Sequence, residues 1–102
     1  MKPIKVGDTW FEWDDKKSQS NLKLRKFNFE AAIPAFFAED AIDEWNSWQD
    51  GEDRNHVIAH VDGLGVIFVV YTLGEYHGQQ KVHSVSARHA TPSDKKRLAL
   101  GY

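Results

Sequence analysis

The chain is expected to fold as one α+β domain, with helices packed on an antiparallel sheet. Three observations point there: three β-rich runs sit close together between Arg54 and Ala90, a phenylalanine stripe at helical spacing precedes them, and a clear helix start follows them. The runs are Val57–Val61, Val66–Thr72 and Lys81–Arg88. Asp62-Gly63-Leu64-Gly65 joins the first two, and its glycines can take the positive φ of a tight hairpin. Leu73–Gln80, containing Gly74 and Gly78, reads as the second connection. The middle run, VIFVVYT, is apolar at both alternating sets of positions, as expected of a strand covered on both faces or central in its sheet. The predicted centre is therefore an antiparallel meander with Val66–Thr72 in the middle.

The flanking elements follow in order. Thr9–Trp13 (TWFEW) is short and aromatic-rich, which suits a border strand. Asp14 is placed to cap a helix over Asp15–Leu24, where its carboxylate can accept from free backbone N–H groups. Only Leu22 and Leu24 are strongly apolar there, so that helix belongs on the surface. Asn28 is read as the cap of a second helix, whose Phe29, Ala32, Ile33, Phe36 and Phe37 form an apolar stripe. Pro34 lies inside it and should cost a hydrogen bond or kink it. Ala41–Trp48 (AIDEWNSW) fits a helical stripe through Ala38, Ala41, Ile42, Trp45 and Trp48, or a strand in which Ile42 and Trp48 lie opposite Trp45. Gln49–Asp53 is a loop by composition. Thr91 as N-cap and Pro92 at the first helical position start a last helix that runs to about Leu100 and ends at Gly101. The order is β-α-α-(β)-β-β-β-α.

At 102 residues the chain reads as a single domain, 1–102. It has no cysteine, which removes disulfides and thiolate metal sites. No His and Asp/Glu spacing argues for a metal site, and no cofactor is expected. The N-terminus lacks the apolar run of a signal peptide, and no segment approaches the length of a membrane span, so a cytoplasmic protein is expected. Net charge is −2, yet the charges are blocked. Lys16–Asn28 holds Lys16, Lys17, Lys23, Arg25 and Lys26 and no acid, whereas Glu39–Asp53 holds seven acids and no base. Such blocks are either solvated faces or a basic surface for a polyanion set apart from an acidic one.

Three stretches carry a family resemblance. The first is FEWDDKKSQSN, followed eight residues after Asn21 by Phe29-Glu30-Ala31-Ala32. The second is Asp53-Arg54, then VIAHVDG and VIFVVYT; the third is Val85-Ser86-Ala87-Arg88-His89-Ala90-Thr91 before a charged helix. In this order and spacing the chain resembles the BrnT family of type II toxins, a branch of the RelE-like ribonuclease superfamily, from about Phe11 to Arg97. The resemblance implies cleavage of RNA, either mRNA or ribosome-associated RNA, and arrest of translation. It implies a BrnA-type antitoxin that binds DNA, blocks the toxin and represses the shared operon. It also favours strand over helix for Ala41–Ser47. Where the family carries a Lys-His-Gly run, this chain has Leu24, Arg25 and Lys26. The cationic character is kept and the histidine is lost.

RNA cleavage without a metal uses the 2′-OH as nucleophile and needs a base, an acid and cations around the phosphorane. Arg54 and Arg88 are the candidates for the cations, because a guanidinium grips phosphate oxygens in a fork and stays charged. Lys23, Arg25 and Lys26 are candidate phosphate ligands. His83 and Tyr71 are candidate proton donors or acceptors, with His56 and His60 as further histidines on strands. His83 and Arg88 are five positions apart, so regular alternation puts them on opposite faces unless a bulge intervenes. Trp45 and Trp48, in the acidic stretch, are candidate partner-binding residues. A non-catalytic protein- or RNA-binding module on the same fold is the alternative. A small-molecule enzyme is disfavoured, since no phosphate-cradling glycine loop or nucleophile triad is present.

Overall fold

The computed structural model describes residues 1–101. Its strands are β1 (Ile4–Val6), β2 (Thr9–Trp13), β3 (Ile42–Gln49), β4 (Glu52–Val61), β5 (Gly65–Tyr76) and β6 (Gln79–His89). Helix α1 (Asp15–Arg25) follows β2, and α2 (Pro92–Leu100) follows β6. The six strands form one sheet in the order β1-β2-β6-β5-β4-β3. The meander is present, with β5 between β4 and β6, and Ala41–Trp48 is largely strand.

Three expectations are corrected. The sheet is mixed, because β2 lies parallel to β6. Leu73–Gln80 is not a connecting loop: the β5–β6 ladder continues to the pair Tyr76–Gln79. A two-residue turn then suffices, with His77 and Gly78 both at positive φ (53° and 75°), the geometry that matches strand twist. The second helix does not form. Its stripe residues make successive turns closed by Ala32 N–H to Phe29 O (3.2 Å) and Ile33 N–H to Glu30 O (3.1 Å), then a short 3-10 helix, Ile33–Phe37. Pro34 has no N–H to continue an i→i−4 ladder, and Asn28 caps only one turn, accepting from Ala31 N–H at 2.8 Å. Burial did not require the helix: Phe29, Ala32, Ile33 and Ala35 are buried all the same.

The helix ends follow the sequence signals. Asp14 accepts from Lys17 N–H at 3.1 Å. Thr91 and Asp94 form a reciprocal capping box, and Gly101 closes α2 in the left-handed region. Helix α1 is a surface helix, with Ser18 its one buried residue. It holds the following segment through polar contacts. Ser18 Oγ accepts from Phe29 N–H (3.0 Å), and Asn21 Nδ2 donates to Phe27 O (2.9 Å), which seats Phe27 and Phe29 in the core.

Strand alternation divides the sheet into two faces. Val57, Ala59 and Val61 of β4, with Ile67, Val69 and Tyr71 of β5, join Phe11, Trp13, Val82 and Ala87 under the 27–38 segment to form the core. On the second face, Phe68 pairs with Ile58 and Arg88, and Val70 pairs with His56 and Ser86. Only α2 covers part of that face, and α2 has no buried residue of its own.

Candidate functional site

The second face carries both His83 and Arg88 because β6 contains a bulge. Tyr71 pairs with Ser84 but Val70 pairs with Ser86, so Val85 is skipped. The extra residue resets the alternation. His83, opposite Thr72, and Arg88, opposite Phe68, therefore face the same way. Their partners stand four positions apart on β5, about 13 Å at ~3.3 Å per residue.

Beside the bulge, α1 and β6 enclose a groove of about 380 Å³. Lys16, Lys17, Arg25 and Arg88 line it, with Ser86 exposed on its floor, and no acidic residue does. Helix α1 stands here because β2 ends at Trp13, beside Ser84, and the chain turns directly into the helix. The first turn of α1 thus puts Lys16 and Lys17 next to the bulge.

His83 Nδ1 lies 2.8 Å from Glu12 Oε2. A carboxylate only accepts, so Nδ1 carries the hydrogen and Nε2 is left free. Lys81 Nζ reaches the same carboxylate oxygen at 3.3 Å. Burial pushes the Glu12 carboxyl up, but the bonds from His83 and Lys81 outweigh it and hold it below its ordinary value. Glu12 was not among the sequence candidates. Its signal was present in FEWD, but its link to His83 depends on the parallel β2–β6 pairing.

Arg88 is fixed on three sides. Its Nη1 donates to Asp94 Oδ2 at 2.8 Å and to His89 O at 3.1 Å, and the guanidinium lies 4.0 Å from the Phe68 ring centroid. Phe68 also stacks on His56, with centroids 4.5 Å apart. His56 is a structural residue: Asn46 Oδ1 (2.9 Å) and Glu44 Oε1 (3.0 Å) occupy its two ring nitrogens. Arg97 of α2 pairs with the same Glu44.

The remaining candidates separate. Arg54 stands one residue beyond the Asn55–Tyr71 pair, so its alternation matches His83, but its guanidinium turns to Gln49 Oε1 (3.0 Å) and Asp50 Oδ2 (3.4 Å) at the β3–β4 turn. Its Nε is buried without a partner. Tyr71 lies on the core face, 4 % exposed, and donates to Asp43. Burial and that carboxylate push its hydroxyl far above the usual phenol range. The structure therefore does not bring Tyr71 to the groove. Lys23 on α1 and Lys26, which caps its C-terminal end, are exposed outside the groove lining, and Lys26 Nζ folds back onto Lys23 O at 3.3 Å. Lys16 and Lys17 take the place beside Arg25 that the sequence assigned to those two. Trp45 and Trp48 are 60 % and 64 % exposed, on the far edge strand. Among the described residues, no group of three His, Asp or Glu is placed to hold a metal ion, and no helix is long and apolar enough to cross a membrane.

The chain is thus a small α+β protein with an acid-free cationic groove between α1 and β6 and a carboxylate-held histidine further along β6. Over residues 13–94 the chain matches the family model described as the ribonuclease toxin BrnT of type II toxin–antitoxin systems, and it belongs to that family. The family is one of toxins that act with an antitoxin partner. No curated protein matches the chain.

Proposed function

We propose that the chain is an endoribonuclease of RelE-like fold that cleaves RNA without a metal, thereby inhibits translation in the cytoplasm, and is neutralised by a BrnA-like antitoxin. The observation that carries this is the Val85 bulge, which sets Arg88 at the groove and His83 on one sheet face. Phosphates lie along Lys16, Lys17, Arg25 and Arg88. The substrate 2′-oxygen attacks phosphorus and loses its proton as the P–O2′ bond forms. The P–O5′ bond then breaks as the 5′-oxygen gains a proton. The products are a 2′,3′-cyclic phosphate and a 5′-hydroxyl. His83 Nε2 serves one of these proton transfers, with Glu12 holding the ring in the tautomer that leaves Nε2 free. Arg88 and the lysines hold the phosphates further along the backbone and so set the scissile bond against His83. Arg54 contributes by fixing the β3–β4 turn, and Tyr71 acts through the core. Trp45 and Trp48 belong to the antitoxin, and DNA is met only through it.

Arg88→Ala tests the reading. With the fold retained, RNA cleavage falls by roughly 10²-fold or more, and growth arrest on expression is lost. Cleavage within threefold of the parent protein would remove Arg88 from the chemistry. A second reading, a non-catalytic RNA- or protein-binding module, is favoured by two observations: Arg88 already has a carboxylate partner in Asp94, and Leu24-Arg25-Lys26 contains no histidine. Salt-sensitive RNA binding with no cyclic-phosphate product would establish that reading instead.

A further inference from the structure

Strand β3 is a free edge of the sheet, and it too contains a bulge. Trp45 pairs with Asn55 and Ser47 with Arg54, so Asn46 is skipped. In a regular strand, residues three apart lie on opposite faces. Here the bulge brings Trp45 and Trp48 to the same one, and the side chain of Asn46 turns to His56. The sequence expectation that Trp48 lies opposite Trp45 is thereby corrected. Both indoles stay in water, 60 % and 64 % exposed. The Trp45 ring is preset by its Nε1–H bond to Asp53 Oδ1 at 2.9 Å. Leu73, 52 % exposed, shares with Trp45 a depression of about 420 Å³ that Glu52 and Asp53 also line.

Two exposed indoles on one face, beside an exposed leucine, make an apolar patch of the kind that proteins use to bind other proteins. The surroundings state what kind. Asp50, Glu52 and Asp53 are exposed around it. The nearest cation in sequence, Arg54, is 19 % exposed and committed to Asp50 and Gln49. A cationic partner would meet complementary charge and two indole faces for cation–π contact. The bulge breaks the regular edge, which disfavours simple addition of a strand and favours docking through side chains.

We infer that this surface anchors the antitoxin through a lysine- or arginine-bearing segment, whose cations meet the acids and indoles and whose apolar side chain enters the depression beside Leu73. The inference rests on the toxin–antitoxin family and not on RNA cleavage. The indoles lie on β3, at the opposite edge of the sheet from β6 and the basic groove, and the depression reaches across β4 to Leu73 of β5. A second copy of this chain is the competing occupant, because α1 carries exposed Leu22 and Leu24 among its cations.

The test titrates the full chain with the antitoxin encoded beside it, by calorimetry, and follows the sedimentation of the chain alone. W45A/W48A is expected to weaken the complex at least 30-fold while leaving affinity for an RNA oligonucleotide within twofold. D50K/E52K keeps the indoles, and is expected to weaken the complex at least tenfold, more at low salt. It carries the test if the double tryptophan variant does not fold. Antitoxin affinity within threefold of the parent protein in both variants would overturn the inference. So would absence of any complex, or self-association that W45A/W48A abolishes. Failure of the parent chain to bind RNA would count against the ribonuclease reading alone.

Discussion

Arg88 shows how one side chain can be both held and available. Its ion pair with Asp94 is about one-third exposed on the arginine side, so solvent screens it and it is worth no more than ~1 kcal/mol. An incoming phosphodiester, whose single negative charge is shared by two oxygens able to accept a fork of N–H bonds, can replace that carboxylate at little cost. Tyr71 is the opposite case, with its ring in the core and its hydroxyl committed to Asp43. Tyr71→Phe is expected to lower unfolding stability by about 1 kcal/mol, the value of one hydrogen bond, and to leave RNA cleavage within twofold. Denaturant titration beside a cleavage assay checks both, and a tenfold loss of cleavage would return Tyr71 to the site. At this scale the sequence was partly legible. Asp14 and Thr91 were readable as caps because capping is local chemistry. The cations of the groove were readable only as a block: Lys16 and Lys17 stood in the same run as Lys23 and Lys26, and only the position of α1 against β6 sorts them.

At the scale of elements, α2 is attached mainly by charge. It has no buried residue, and Asp94–Arg88 and Arg97–Glu44 tie it to the sheet. The bond from Arg97, against some desolvation, holds Glu44 below its ordinary 4.5. Burial raises Asp94, but Arg88 and Thr91 hold it below 3.8. Both folded values are depressed. Their stabilisation is therefore complete above the ordinary values and is lost as pH falls through the lower folded ones. Below about pH 4, α2 is expected to lose hydrogen-exchange protection before β5 does. Simultaneous loss in α2 and β5 would show that apolar packing, not ion pairing, secures the helix. The elements that misled the sequence reading share a cause. The 29–37 stripe has helical spacing, but Pro34 breaks the ladder while side-chain burial survives in turns. The bulges at Asn46 and Val85 carry no glycine or proline signal, yet each reverses which residues share a face.

The whole molecule separates its charges although its net charge is only −2. The groove between α1 and β6 is cationic, and the β3 edge is acidic and aromatic, with the sheet between them. The blocks were visible in the sequence, but their placement was not, because it depends on β2 inserting parallel beside β6. On the proposed reading, RNA affinity is a property of the groove and not of the overall charge. Single-stranded RNA that neutralises four cations should give a slope of log K against log salt of about −3, from ~0.7 per phosphate contact. That corresponds to a loss of roughly 50-fold between 50 and 200 mM salt. Lys17→Ala should reduce the slope by about 0.7, whereas Lys23→Ala should leave it unchanged, since Lys23 lies outside the lining. Equal effects of the two substitutions would mean that the whole helix acts as a diffuse positive face. A selective effect of Lys17 would mean that the β6 bulge and the first turn of α1 together define the path of the RNA backbone.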